Sequence, residues 1–397
     1  MRKEILTFVI VLKAVFCSSG QAVTGASQND GDDQVILIAD MQLQIEINQA
    51  MNDLYNFKFD KAEQQFRWLK QKYSWHPLPY FLEGLSEWWK IMPNMNNRSH
   101  DEKFMAHMDT VILISENLFN KKEHKIEASF FLAAAYGFKG RLLSSEERRN
   151  WRKSATAGKN ALKYMEYSKE RHELSPELLF GDGLYNYFRE WVPENYPLLK
   201  PIMLFFPKGD KKLGIEQLKK VSYNAFYTRT EAQVFLMRIL NSYENDRQRA
   251  LQIGEYLHQT YPDNPYFHRY YARLLYSSGK FSKAMPVAKT ILAQIDGGKL
   301  GYEDTSGRYA SFFLGQINQT RKNYDEAKLY YNRAVEFSER SEAFSTGYYH
   351  YSLLELGELA LKEGDKKVAK DFFKKVKKHA DRGDRVHKEA REKLRQL

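Results

Sequence analysis

Cysteine is nearly missing from this chain. Its one thiol, Cys17, follows an apolar run at the N-terminus, so the remainder has none for a disulfide, a cysteine nucleophile or a zinc thiolate. Stability must therefore come from packing. Proline and glycine are also sparse, 11 and 22 in 397 residues, which argues against the turn-dense pattern of a protein built from many short strands. No alternating apolar and polar run of strand length stands out. Neither the N-terminal apolar run nor the apolar stretch at 191–210 is long enough to span a bilayer. Gly181 and Gly183 lie in a helical pattern rather than behind a strand, so no dinucleotide loop is indicated, and there is no phosphate loop or serine elbow. His100, His107 and Asp109 lack a further strong ligand, and His172 lacks the second histidine of a metalloprotease helix. No catalytic, metal or cofactor-binding residue is assigned.

What is present suits helices. Apolar residues reach 43% and charged residues 28%, ordinary for a folded protein, while aromatics at 14% supply rings for packing helix against helix. The length exceeds one compact domain, so two domains or a stacked solenoid are expected. Arg2 and Lys3 precede the apolar run Ile5 to Leu12, and small residues follow from Ser18 to Ala26. Residues 1–22 therefore read as a signal peptide, and 23–38 as a flexible linker. The expected location is periplasmic or cell-envelope associated. Phe16 stands where a lipoprotein signal wants a small residue, so cleavage near Ala22 or Ala26 leads over a lipid anchor on Cys17.

Net charge is +11, and cleavage after Ala22 removes Arg2, Lys3, Lys13 and Glu4 to leave +9. From Lys362 to Leu397, 14 basic residues face 7 acidic ones. An exported protein seldom meets nucleic acid, so this excess points to an acidic protein or an anionic membrane surface, or simply to a solvated terminal helix.

From residue 39 on, the chain reads as helices with short polar breaks. Ser99 with Glu102, Ser144 with Glu147, and Thr228 with Glu231 have capping-box spacing, and Pro77, Pro176 and Pro265 stand where helices begin. A small residue is followed twelve positions later by alanine four times: Ala50 and Ala62, Ala272 and Ala284, Gly315 and Ala327, Gly357 and Ala369. Four further on come Phe66, Ala288, Tyr331 and Phe373. Two helices approach closely only where small side chains meet, and large side chains then fill the flanks.

In these segments ("YNFKFDKAEQQF", "YSSGKFSKAMPVA", "NQTRKNYDEAKLYYNRA") the chain resembles the tetratricopeptide repeat (TPR) family. The resemblance implies an all-α, right-handed superhelical solenoid of helical hairpins with a concave binding groove. Ala250, Ala284, Ala327 and Ala369 are separated by 34, 43 and 42 residues, so the later hairpins should be longer than the usual repeat. Arg238 replaces the small residue of the Ala250 unit, Gly254 replaces its ring, and Ser311 fills the family's Trp slot. Between Pro77 and Tyr227 the match weakens, although Gly84, Ala133 and Gly181 suit close packing. The expected plan is TPR-like hairpins over 39–190, a proline-rich apolar insertion at 191–210, and TPR repeats with a basic capping helix over 211–397. That makes seven to nine hairpins and a last helix from about Arg385.

The resemblance also implies a non-enzymatic scaffold or adaptor of the cell envelope that binds a protein or peptide. Candidate contacts on first helices are Asn52, Tyr80, Arg273 and Asn318, joined by the basic face at Lys374, Lys377 and Lys378. Phe205 and Phe206, in a stretch that either covers the core or meets a partner, are further candidates. Trp88 belongs to an early cluster with Trp68, Trp75 and Trp89 that is either core or a stacking platform. One of the adjacent pair should point outward, since helix neighbours lie about 100° apart. Two alternatives stand beside this reading. One is a glycan binder similar to TPR-containing starch-binding lipoproteins, using those rings. The other is a helical-hairpin glycan hydrolase, for which Glu83 with Glu87 or Glu190 with Glu194 would supply carboxylates.

Overall fold

The computed structural model describes residues 36–169, 171–197, 200 and 206–397. The proposed signal peptide, Cys17, nearly all of the linker and Phe205 lie outside the described residues. Among the described residues there are 17 α-helices and no strand, so the all-α expectation holds. The chain forms two compact units. One runs to Ile91 and resumes over Asn97–Tyr243; the other comprises Met92–Asn96 and Glu244–Leu397. The division does not fall at 191–210. It falls inside the hairpin assigned to Ala250, where Arg238 occupies the place of the family's small residue.

Unit 1 contains α1 (Met41–Tyr55), α2 (Phe59–Lys72), α3 (Leu78–Ile91), α4 (Asp101–Phe119) and α5 (Lys125–Leu143). It continues with α6 (Trp151–Ser168), α7 (Leu179–Asn195), α8 (Lys211–Asn224) and α9 (Arg229–Ser242). Helix α7 passes through Pro193 in its last turn and stops before Pro197, so the proline-rich stretch breaks the helix later than its first proline. All six tryptophans belong to this unit. Unit 2 contains α10 (Arg247–Thr260), α11 (Pro265–Ser277), α12 (Phe281–Asp296) and α13 (Asp304–Thr320). After these come α14 (Tyr324–Arg340), α15 (Gly347–Lys362), α16 (Lys366–His379) and α17 (Arg385–Gln396). The helices from α13 to α15 have 16 or 17 residues against 13 in α11, which accommodates the longer spacing of the later alanines.

The repeat residues Ala50, Ala62, Phe66, Ala272, Ala284, Ala327, Tyr331, Ala369 and Phe373 are all buried, as are Gly315 and Gly357. The contact differs in one detail from the expected pairing of small residue with alanine. A Cβ on Gly315 would stand 2.6 Å from Cδ1 and Cε1 of Tyr331, and one on Gly357 would stand 2.5 Å from Cε1 of Phe373. Each glycine therefore seats the ring four residues beyond the alanine. Burying such a ring contributes about 1.5–3 kcal/mol, which requires the space that only glycine leaves. Helix α11 packs on α13 and α13 on α15, besides their own hairpin partners, giving unit 2 one continuous core.

The turns within the repeats share a device that the sequence shows only in part. The residue five before each repeat alanine has positive φ: Phe57 (61°), Asn245 (53°), Gly279 (69°), Lys322 (63°) and Gly364 (84°). In four of these turns the next amide reaches back to close the preceding helix: Lys58 to Asp53 O (2.8 Å), Lys280 to Leu275 O (2.9 Å), Asn323 to Asn318 O (2.9 Å) and Asp365 to Ala360 O (2.9 Å). This is the Schellman pattern, and it needs a left-handed residue just past the helix.

Helix starts use aspartate and asparagine rather than the capping boxes expected. Side chains of Asp40, Asn150, Asp210, Asp246, Asn264 and Asp365 accept first-turn amides. Ser144 instead closes the end of α5, and α4 starts at Asp101, two residues past Ser99. Thr228 precedes α9, but a carboxylate from elsewhere replaces its cap. Glu177 accepts the amides of Phe226 (2.6 Å), Tyr227 (3.0 Å) and Thr228 (2.9 Å), together with the Thr228 hydroxyl. Glu231, the expected reciprocal partner, is buried and accepts the indole N–H of Trp89 at 2.9 Å.

Candidate functional site

The first helices of the unit 2 hairpins gather rings and guanidinium groups. Helix α11 contributes Tyr266, Arg269, Tyr270 and Arg273; α13 contributes Arg308 and Tyr309; α15 contributes Tyr348. The rings of Tyr309 and Tyr348 meet edge to face at 4.7 Å, and Tyr348 tilts against Phe312 at 4.7 Å. Arg269 lies over Tyr266 at 5.5 Å and Tyr309 at 5.7 Å, Arg273 lies over Tyr270 at 5.5 Å, and Arg308 lies over Tyr309 at 5.9 Å. Arg269 is anchored by donating to Pro93 O (2.8 Å) and Ser306 Oγ (3.0 Å). Burial lowers the proton affinity of Arg269 and Arg308, and it raises that of the Tyr348 phenol. Tyrosine and arginine held rigidly in this way are the residue types that dominate protein recognition.

Helix α16 presents a basic face in the same unit. Ala369, Phe373 and Val376 turn inward at helical spacing, while Lys374, Lys377 and Lys378 are exposed. Lys374 approaches Asp371 at 4.0 Å, and neighbouring Lys375 approaches Glu339 at 3.5 Å. The final helix buries Val386, His387 and Ala390 and keeps its charges outward.

The other candidates scatter. Tyr80 is half-buried, donates to Ser74 O at 3.2 Å and has Lys70 over its ring at 4.6 Å. Asn52 is half-buried on α1, and its carbonyl accepts from the Asn56 side chain at 3.1 Å. Asn318 is not a groove residue: it is buried, donates to Leu314 O at 2.9 Å, and its carbonyl receives the Asn323 amide in the turn. Trp88 and Trp89 are both fully buried, against the expectation that one would face out. The reason is that α3 is covered on two sides. Trp88 packs on Phe104 and Phe138, whereas Trp89 meets Tyr55 and Glu231. The exposed indoles are Trp68 (39%) and Trp75 (47%), so the glycan platform loses Trp88 and Trp89 and keeps two of its four rings. Phe206 is half-buried and, with Ala133 and Gly181, lines a cavity of about 300 Å³ in unit 1. Gly181 also makes the close helix contact expected of it, since a Cβ there would stand 3.3 Å from Met165 Cε.

The acidic pairs are engaged. Glu83 pairs with Lys70 at 3.0 Å and His107 at 3.4 Å; Glu87 pairs with Lys90 at 2.9 Å and His100 at 2.7 Å. Glu190 accepts the Lys211 amide at 2.7 Å, and Glu194 pairs with the Lys211 ammonium at 2.5 Å. Burial would raise Glu63, but hydrogen bonds from Lys90 and Ser86 outweigh it and hold the carboxyl below its ordinary value. These contacts are those of structural ion pairs rather than of a proton donor facing a nucleophile.

Comparison with known proteins agrees with the repeat packing. Residues 309–340, which span most of α13 and all of α14, match a tetratricopeptide repeat family model. No curated protein matches the chain. The crystal structure of the P58(IPK) TPR domain aligns over 89% of this chain and 99% of its own, with 12% identity and a TM-score of 0.25, too loose a superposition to argue from. On the family match, residues 309–340 carry a tetratricopeptide repeat, a unit that in general serves protein–protein interaction.

Proposed function

We propose that the chain is an exported scaffold of the cell envelope that takes an acidic segment of a partner protein on the first helices of unit 2. The observation that carries this reading is the cluster of Tyr270, Arg273, Tyr309 and Tyr348, in which rings and guanidinium offer stacking and carboxylate pairing on one set of helices. Lysines of α16 supply a long-range field that speeds encounter with an acidic partner. Support for export comes from Arg2, Lys3 and the apolar run that follows them.

The test is binding of a glutamate-rich peptide to the whole chain, read by fluorescence anisotropy at two salt concentrations. Arg273→Glu is expected to weaken binding by about tenfold or more, that is about 1.4 kcal/mol. The combined Lys374→Glu, Lys377→Glu and Lys378→Glu variant should mainly slow association and flatten the salt dependence. Unchanged affinity in Arg273→Glu would remove the proposed face. Binding only to vesicles containing anionic phospholipid would replace the acidic protein with a membrane surface. N-terminal sequencing of the mature protein tests export, and an uncut Met1 end would sink that part.

A further inference from the structure

The cavity of unit 1 is built differently from the surfaces just described. Its volume of about 300 Å³ lies at the lower end of the range that takes small organic ligands. Rings form much of its wall, among them Phe81, Phe138, Phe180, Phe188 and Phe235, with Leu162 and Met165 between them. Such a lining offers water few partners and offers hydrocarbon many.

One wall is kept low by small residues. Ala133, Ala134, Gly137 and Gly140 follow one another along one side of α5 and all line the space. Gly140 has a packing reason, since Ser154 donates to its carbonyl at 2.8 Å and a Cβ there would touch Ala157 at 3.6 Å. Gly137 has none: a Cβ there would meet nothing within 4 Å. A glycine inside a helix weakens it relative to alanine, so Gly137 makes the helix worse while widening the cavity.

Charge in the lining is unbalanced. Arg141, Lys159, Arg189 and Arg238 stand against Asp182 and Glu231. Arg141 lies over Trp88 at 4.6 Å and Phe235 at 5.1 Å. Burial raises the Glu231 carboxyl above its ordinary value, with Arg141 and the Trp89 hydrogen bond opposing it.

We propose that this cavity binds a single-chain fatty acid, its hydrocarbon against the rings and its carboxylate among the basic residues of the lining. The site is separate from the protein-binding face of unit 2 and does not depend on it.

The experiment titrates the whole chain with dodecanoate and, separately, with dodecan-1-ol, followed by calorimetry. Dodecanoate is expected to bind at about one per chain and at least about tenfold more tightly than the alcohol. Gly137→Leu, whose side chain enters open space, should weaken dodecanoate by more than about tenfold while far-ultraviolet dichroism stays helical. If that variant does not fold, Gly137→Ala takes its place, with weaker binding and a higher thermal midpoint expected. The proposal fails if dodecanoate does not bind, if the alcohol binds equally well, or if the folded Gly137 variant binds at full strength.

Discussion

Gly315 on α13 seats the ring of Tyr331 on α14, so close that a methyl group on the glycine would stand 2.6 Å from the ring. The neighbour is an aromatic ring held between two helices, fully buried, and cannot swing aside like a flexible chain. Gly315→Ala should therefore destabilise unit 2 by about 1–3 kcal/mol, the usual cost of overpacking. Chemical denaturation measures it. Adding Tyr331→Leu should recover part of the loss, and a strictly additive double variant would show that the two residues do not meet as described.

Lys322 holds a φ of 63° at the position where Gly279 and Gly364 stand in other repeats. A side chain in the left-handed region costs about 1 kcal/mol, and Lys322 is exposed with little packing to lose. Lys322→Gly should thus raise stability by up to about 1 kcal/mol, less the extra freedom gained by the unfolded chain. Gly364→Ala should do the opposite. Thermal unfolding of both variants checks the sign.

Glu177 ties three amides and a hydroxyl at the start of α9. Its removal would strand buried donors, so Glu177→Ala should cost about 3 kcal/mol or more. Glu177→Gln keeps an acceptor and should cost less. Equal losses in the two variants would place the effect in packing and not in the amides.

His268 is stacked on His258 at 4.5 Å and bonded to the Tyr302 hydroxyl at 2.9 Å. Burial, with His258 and Lys299 nearby, pushes its pKa down to about 3. Between that value and the ordinary 6.5 the unfolded chain binds a proton that the folded chain refuses, so stability falls as pH falls. The slope is about 1.4 kcal/mol per pH unit, and His258, also lowered by burial, adds in the same direction. Urea unfolding near neutral pH and about two units lower should show the loss, and His268→Gln should reduce it.

The hairpins were legible because their signal is local: alanine and glycine at fixed spacing, with Phe66, Tyr331 and Phe373 following, can be read without knowing what they touch. The turns were half legible. Gly279 and Gly364 announce a left-handed residue, but Phe57 and Lys322 do the same work under no compositional sign. Long-range partners were not legible at all. Thr228 looks like a cap from its neighbours, yet its partner is Glu177, fifty-one positions away. Trp88 and Trp89 could not both be placed inside without knowing that α3 has helices on two sides. The proposed binding face was read by residue type, which selected Arg273 and equally selected Asn318, whose bonds all stay in its own turn.

The confinement of every indole to unit 1 has a practical result. Fluorescence excited at the red edge of protein absorption reports the melting of that unit alone, while circular dichroism sums both. Overlapping curves would mean that the units lose structure as one; separated curves would show that each carries its own transition.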